Sequence, residues 1–216
     1  MKALKSKTLI AYFFMLLLCS CGLFIDKDCF DNNEYKFYLP FTLTPAQDTF
    51  HINDTIWVQA NFSDELLDSN SLKTYHLENE PLYCNFYLDH IDTIGITTAF
   101  PDFQLFVDTG TVSTGGGPEG GLKWIKYVYD SNHYKFYIRL IPLKEGTYLL
   151  GFSSEPRQDV NFQKKCPGEL MDVYFTTNDG AENNFYLMAQ SPDSNINAVP
   201  LKNFNFTGSY CFRVVE

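Results

Sequence analysis

The sequence predicts an all-β fold, an antiparallel immunoglobulin-like β-sandwich enlarged by loops, with one or two short helices at most. Three observations support this prediction. Apolar side chains alternate with polar ones over several short runs, as expected for strands with one buried face. Gly, Pro, Asn and Asp fill the connections between these runs. Aromatic residues make up 17% of the chain and apolar residues 45%, a composition that excludes a disordered chain.

Three runs show the alternation most clearly, in residues 55–62, 134–140 and 147–152. Every second side chain in them is apolar, which indicates a sheet with one buried and one wetter face. Trp57 and Tyr137 fall on the wetter faces. Residues 130–133, with the sequence Asp-Ser-Asn-His, precede the second run and predict the turn of a hairpin.

Two local segments carry more specific expectations. Residues 143–148 resemble the corner that precedes a late strand of immunoglobulin-like sandwiches. The resemblance implies that Gly146 permits the bend and that the Tyr148 hydroxyl bonds back to the corner backbone. A plain turn with a core tyrosine is the alternative. Residues 63–67 are expected to cap and start one helical turn.

The N-terminus predicts an export signal. Lys2, Lys5 and Lys7 precede ten consecutive apolar residues, Leu9 to Leu18, a run too short to span a bilayer. The next residues, Leu18-Cys19-Ser20-Cys21, resemble the lipobox of bacterial lipoproteins. That resemblance implies diacylation of Cys21, which becomes the first residue of the mature chain and anchors it in the membrane. We therefore divide the chain into a signal peptide (1–20), a lipid-anchored tether (21–33) and one β-sandwich domain (34–216).

The net charge of the chain and the acidic residues of the tether indicate where the protein is located and which partners it avoids. Residues 1–20 contain three lysines and no acidic residue, so their removal lowers the formal net charge from −10 to −13. Such an acidic body repels nucleic acid and anionic lipid headgroups, which leaves the acyl group as the expected contact with the membrane. In lipoproteins of the Bacteroidota, acidic residues near the anchor, here Asp26 and Asp28, favour surface display. We expect an outer-membrane location, with surface exposure favoured over the periplasmic side.

Four cysteines remain after the lipidated one: Cys29, Cys84, Cys166 and Cys211. In an exported chain they indicate two disulfides, for which three connectivities are possible. Strand alternation places Cys211 opposite Phe212, away from the core, where Cys166 in a loop is a suitable partner. This choice leaves Cys29 to pair with Cys84. No CxxC spacing is present, so we expect no structural zinc site.

The sequence contains no motif for catalysis, a metal or a cofactor. The glycine-rich residues 115–121 lack the Lys-Ser/Thr ending of a phosphate-binding loop, and residues 151–155 lack the final Gly of a nucleophile elbow. Neither the four histidines nor the acidic clusters have the spacing of metal ligands. We therefore predict that the protein is not an enzyme and uses no cofactor.

The remaining signals favour a binding or structural role. Residues 41–50, 53–57 and 62–64 resemble uncharacterised lipoproteins common in the Bacteroidota, which implies location and fold but no activity. Trp57, Trp124 and Tyr137 form the candidate binding surface, either for stacking sugars or, alternatively, for packing. We expect a non-enzymatic cell-envelope lipoprotein with a protein or glycan partner. The alternative is a glycan-active hydrolase, which needs two carboxylates about 5–10 Å apart.

Overall fold

A computed structural model describes residues 34–116, 121–160, 162 and 169–216 and confirms the all-β sandwich. The expected signal peptide and tether, together with Cys21, Cys29 and Cys166, lie outside these residues. The described strands, in chain order, are β1 (Glu34–Thr44), β2 (Thr49–His51), β3 (Ile56–Ser63), β4 (Glu65–Leu67), β5 (Thr74–His76), β6 (Tyr83–His90), β7 (Thr97–Thr98), β8 (Phe103–Thr109), β9 (Thr111–Thr114), β10 (Leu122–Lys126), β11 (Val128–Asp130), β12 (His133–Pro142), β13 (Gly146–Ser153), β14 (Arg157–Val160), β15 (Glu169–Thr177) and β16 (Tyr210–Val215).

The strands form two seven-stranded sheets and one small hairpin. The first sheet has the order β11-β12-β3-β1-β15-β14, and β8 also pairs with β12. The second has the order β2-β16-β13-β6-β10-β9, and β7 also pairs with β6. Most neighbours are antiparallel, as expected, but β1 pairs in parallel with β15, and β16 pairs in parallel with β2. Strands β4 and β5 form the separate hairpin.

Helices are few and short among the described residues. They are α1 (Ser194–Asn197), α2 (Leu201–Phe206) and three 3-10 segments, Phe100–Asp102, Asn178–Gly180 and Phe185–Gln190. None of the helices in this part of the chain has the length and apolar character needed to cross a membrane. The helical turn expected at residues 63–67 is wrong, because Glu65–Leu67 form β4 and pair with β5.

The alternating runs form the strands that the sequence predicts. In β3 and β12 the buried positions alternate strictly with less buried ones. The predicted hairpin turn joins β11 to β12, and Ser131 and Asn132 at its centre both have positive φ angles, 52° and 63°. Two central residues in the left-handed region match the right-handed twist of the flanking strands.

The core lies between the two sheets and is rich in aromatic rings. Phe41 of β1 stacks on Phe152 of β13, with ring centroids 3.8 Å apart and planes 11° from parallel. At the other end of the core, Phe103 of β8 meets Tyr148 of β13 edge to face at 4.9 Å. These rings are buried, and each fully buried aromatic side chain stabilises the fold by about 1.5–3 kcal/mol.

The corner before β13 has the tyrosine contact that its sequence implies. The Tyr148 hydroxyl donates a hydrogen bond to the carbonyl oxygen of Lys144 at 2.9 Å. A Cβ atom on Gly146 would lie 2.9 Å from that same hydroxyl. Glycine is therefore required at residue 146 because the tyrosine ring end packs directly against its Cα.

A second apolar cluster lies on the outer face of the second sheet. The helical segment after β15 covers this face, and the buried members of the cluster are Ile91, Leu187, Met188, Ile196, Phe204 and Cys211. Cys211 does face away from Phe212, as the alternation indicates, but it is fully buried under the helical segment. The outer face of β16 is therefore an internal surface.

Candidate functional site

The three aromatic residues singled out from the sequence lie on two different surfaces. Trp57 in β3 and Tyr137 in β12 share the outer face of the first sheet, where Gln59 is the direct partner of Tyr137. Trp124 in β10 lies on the outer face of the second sheet, where its strand pairs with β6. The two surfaces are on opposite sides of the sandwich, so the three residues do not form one site.

The patch around Trp57 is flat and its charged groups are paired. Arg139 lies directly across from Trp57, and its guanidinium carbon is 5.5 Å from the Trp57 ring and 5.1 Å from the Phe106 ring. The same guanidinium donates two hydrogen bonds to Asp108, at 2.8 and 2.9 Å, and this contact lowers the pKa of the Asp108 carboxyl. Because the cation already fills the space between the rings, this patch offers little free aromatic face.

Trp124 instead forms one wall of a concave groove with a volume of about 370 Å³. The groove is lined by residues of β6, of β10, of the segment that connects β13 to β14 and of the start of β14: Tyr83, Cys84, Asn85, Trp124, Ser154, Glu155 and Arg157. Trp124 is 56% exposed and Tyr83 51% exposed, which is unusual for rings of this size in a well-packed sandwich. The groove therefore combines two exposed aromatic rings with a concave shape.

Neighbouring backbone fixes the position of the Trp124 ring. A Cβ atom at Gly115 would lie 3.0 Å from the indole Cδ1 and Nε1 atoms, so the Gly115 backbone packs against this edge of the ring. Gly115 is itself held to the same hairpin, because its N–H donates a hydrogen bond to the carbonyl oxygen of Leu122 at 2.9 Å. The indole is thus supported on one edge and open to solvent elsewhere.

Polar groups with free hydrogen-bonding capacity surround these rings. Within the described residues, the side chains of Asn85 and Glu155 make no hydrogen bond or ion pair. Arg157 is held in place, since its guanidinium pairs with Glu80 at 2.6 Å and donates to the carbonyl oxygen of Pro81 at 3.0 Å. The groove therefore contains an amide, a carboxylate and a guanidinium group next to two aromatic rings.

This combination suits a ligand with both apolar and hydroxyl-bearing faces. Trp and Tyr rings present a rigid apolar surface with a polar end, and amide and carboxylate oxygens accept hydrogen bonds from hydroxyl groups. Such an arrangement is concave and preformed, as ligand sites usually are. Glu155 is the one carboxylate among the residues that line the groove, whereas glycoside hydrolysis normally uses two.

The two cysteines in the described part of the chain carry free, buried thiols. The Cys84 sulfur lies 3.6 Å from the Tyr127 hydroxyl, and burial raises the pKa of the Cys84 thiol to about 12. Burial also raises the pKa of Cys211. Their expected partners, Cys29 and Cys166, lie outside the described residues, so the two disulfides stay a prediction.

Ionisable side chains also meet beside the tyrosine corner, at the end of β6. The His90 imidazole lies between Asp102, at 2.9 Å from Nε2, and Asp92, at 3.4 Å from Nδ1. Asp92 also accepts a hydrogen bond from the backbone N–H of Thr147, and Asp102 pairs with Lys144. These contacts tie β6 to the corner. Across the residues that the structure describes, no group of three or more His, Cys, Asp or Glu side chains has the geometry of a metal site.

The sequence alone identifies Trp124 but not the rest of the groove. Tyr83 and Asn85 flank Cys84 at alternate positions of β6, so the alternation does place them on the wetter face. Their position beside Trp124 depends on the pairing of β6 with β10 and on the register of that pair. Both are properties of the folded sheet and cannot be read from the residues around Tyr83 and Asn85. Glu155 lies in the connection after β13, and Arg157 is at the start of β14. No motif in the sequence indicates that either residue belongs to a groove.

The fold defines the chain as an all-β sandwich of two seven-stranded sheets and a small hairpin. No protein-family model and no curated protein matches the chain. Among solved structures, the chain is similar to the seventh ScaB type I cohesin from Pseudobacteroides cellulosolvens, with 10% sequence identity and a TM-score of 0.32. The similarity covers 64% of this chain and 88% of the cohesin chain.

Proposed function

We propose that this protein is a non-enzymatic glycan-binding module of the bacterial cell envelope and that the groove around Trp124 binds the sugar. The observation that carries the proposal is the pair of exposed rings, Trp124 and Tyr83, beside the free side chains of Asn85 and Glu155. In the bound state, the apolar face of a pyranose ring packs on the indole. The amide and carboxylate then accept hydrogen bonds from its hydroxyl groups.

The groove supports a glycan better than a large protein interface. Stable protein partners usually bury about 800 Å² on each side, over a broad surface with a packed apolar centre. Here the exposed apolar area is confined to two rings in a groove of about 370 Å³, a volume within the range of small-ligand sites. A protein partner would instead be expected to use a flatter surface, such as the one around Trp57.

We propose the lipid anchor on separate grounds. The lipobox-like residues 18–21 support diacylation of Cys21, and the acidic tether supports an outer-membrane location with surface display. The intact mass of the membrane-extracted protein tests the anchor. We expect the mass of residues 21–216 plus acyl chains, and we expect a Cys21→Ala variant to lose that species. An unacylated mass would contradict the proposed lipid anchor. The proposed glycan binding by the groove does not depend on this result.

The groove is tested with the full chain in detergent on an array of purified oligosaccharides, at several protein concentrations. We expect binding to a defined set of glycans. We expect Trp124→Ala to weaken it at least tenfold, which corresponds to about 1.4 kcal/mol for a lost stacking contact. Trp57→Ala is the matched control, because it removes the same side chain from the opposite face of the sandwich and should leave glycan binding unchanged.

Two results would contradict this proposal. Equal loss of binding in the Trp57 and Trp124 variants would place recognition elsewhere or indicate unfolding, which circular dichroism of both variants would detect. Release of reducing ends from the bound glycans, lost on Glu155→Gln, would instead establish the hydrolase alternative. A binding module leaves the oligosaccharides intact during prolonged incubation.

A further inference from the structure

A second cavity lies away from the Trp124 groove, between the outer face of the second sheet and the segment around α1. Its volume is about 490 Å³. The walls are mostly apolar, and the lining residues include Ile91, Ile96, Leu149, Met188, Ile196 and Val199. A cavity of this size and polarity has the properties of a small-molecule site.

One ionisable side chain in this cavity makes no hydrogen bond or ion pair within the described residues. Asp89 of β6 lies across from Leu149 of β13, and within the described residues its carboxylate makes no hydrogen bond or ion pair. The other carboxylate at the cavity, Asp193, is fully engaged. It accepts hydrogen bonds from the N–H groups of Gly95 and Asn195, both at 2.8 Å.

The neighbouring His90 attracts the Asp89 carboxylate, but burial outweighs this attraction and raises the pKa of Asp89. The His90 ring is occupied by Asp92 and Asp102, and the Tyr87 hydroxyl hydrogen-bonds with Ser209 at 3.0 Å. No lysine or arginine is among the residues that line the cavity. An uncompensated carboxylate between apolar walls is unfavourable unless a cation pairs with it.

The entrance to the cavity is held in a fixed shape. The hydrogen bond from the Gly95 N–H to Asp193 joins the loop after β6 to the N-terminus of α1. Ile96 is next to this contact and is 82% exposed, whereas Ile91, Met188 and Ile196 of the apolar lining are buried. An apolar side chain at the rim adds contact area for a ligand that enters between the loop and α1.

We propose that this cavity binds a small organic cation, a primary ammonium group with a short apolar body, through an ion pair with Asp89. The ammonium donates hydrogen bonds to the Asp89 carboxylate, and the apolar body packs on Leu149, Ile196 and Val199. The site is independent of the proposed glycan groove, because the two share no lining residue. Either one can therefore fail without affecting the other.

The test is calorimetric titration of the full chain in detergent with n-hexylammonium chloride, at neutral pH and low ionic strength. We expect a dissociation constant of about 1 mM, a reasonable value for so small a ligand. Asp89→Asn keeps the size of the side chain and removes its charge, so it should weaken binding at least tenfold. The uncharged analogue 1-hexanol should bind at least tenfold more weakly to the unaltered protein.

Two further variants make the result specific to this cavity. Asp179→Asn removes the same charge from an exposed turn and should leave hexylammonium binding unchanged. Val199→Trp places a larger side chain in the cavity and should abolish binding while Asp89 stays in place. Equal binding by the unaltered protein and Asp89→Asn, or no detectable binding to the unaltered protein at about ten times the expected constant, would overturn the proposal.

Discussion

Tyr87 and Gly151 face each other across β6 and β13, and a Cβ atom at residue 151 would lie 2.2 Å from the Tyr87 hydroxyl. The ring therefore lies over the Gly151 backbone, and its hydroxyl reaches Ser209 at 3.0 Å. This contact connects the two central strands of the second sheet to the start of β16. It also explains why a glycine interrupts an otherwise apolar strand.

Replacing this glycine should destabilise the protein. In Gly151→Ala the new methyl group also meets the Ser209 Oγ at 2.8 Å, so the tyrosine has to move and lose its hydrogen bond. We expect a loss of about 1–3 kcal/mol, the range for overpacked cores, measured by urea denaturation. Gly116→Ala is the control, because no atom lies within 4 Å of a Cβ there. Equal stability of the two variants would contradict the packing argument.

The tyrosine corner makes a second measurable contribution. Tyr148→Phe removes the hydroxyl that donates to Lys144 and leaves the ring in the core, so we expect a loss of about 1 kcal/mol. Thermal unfolding followed by circular dichroism is a suitable measurement. Tyr137→Phe provides the comparison, since within the described residues the Tyr137 hydroxyl has no hydrogen-bond partner. A change of similar size in both variants would indicate that the corner bond contributes nothing specific.

The Asp89 carboxylate should destabilise the protein at neutral pH, and this cost should fall in mild acid. Burial raises the pKa of Asp89 from 3.8 to about 6. Between these two values the folded state binds a proton that the unfolded state has released, so the contribution of Asp89 to stability falls as pH rises through this window. Asp89→Asn should therefore be more stable than the unaltered protein at neutral pH, and the difference should shrink towards pH 4.

This prediction requires the free energy of unfolding of both proteins at several pH values between about 4 and 7. Other groups titrate in the same range, so the informative quantity is the difference between the two profiles. If Asp89→Asn were instead less stable than the unaltered protein at neutral pH, and the two converged towards pH 4, Asp89 would have a lowered pKa and a partner. That outcome would also remove the unpaired carboxylate on which the cation site rests.

The buried thiols should be unreactive in the folded protein. Thiolate is the reactive form, and burial raises the pKa of Cys84 to about 12 and also raises that of Cys211. We expect iodoacetamide to label neither cysteine under native conditions, detected by peptide mass spectrometry, and labelling in the folded protein would contradict their burial. After denaturation without reductant, a Cys29–Cys84 or Cys166–Cys211 peptide would establish the disulfides expected from the sequence, and labelling of Cys84 and Cys211 would contradict them.

Local features of the fold were predictable because local rules determine them. Alternation is a property of consecutive residues, so β3, β12 and β13 could be identified directly. The turn at Ser131 and Asn132 and the Tyr148 corner also depend on short segments. In each case the interaction partners lie within a few residues, and chain connectivity fixes their geometry.

Features that need distant partners were not predictable in this way. The sequence indicated correctly that Cys211 and Phe212 face opposite sides, but the helical segment that buries Cys211 is specified by tertiary packing. Trp57 and Trp124 were assigned to one candidate binding surface. Only the order of strands separates them onto two sheets. Asp89 gave no signal, because an acid in an alternating strand normally faces water.

The position of β1 has a mechanical consequence. The strand begins at Glu34, runs parallel to β15 as far as Phe41, and then pairs with β3 from Thr42 to Thr44. A force applied at Glu34 along the axis of this inner strand would load the hydrogen bonds on both edges in shear, and many would have to break together. A sandwich held at the membrane by this end, with its ligand fixed elsewhere, would resist being unravelled by tension.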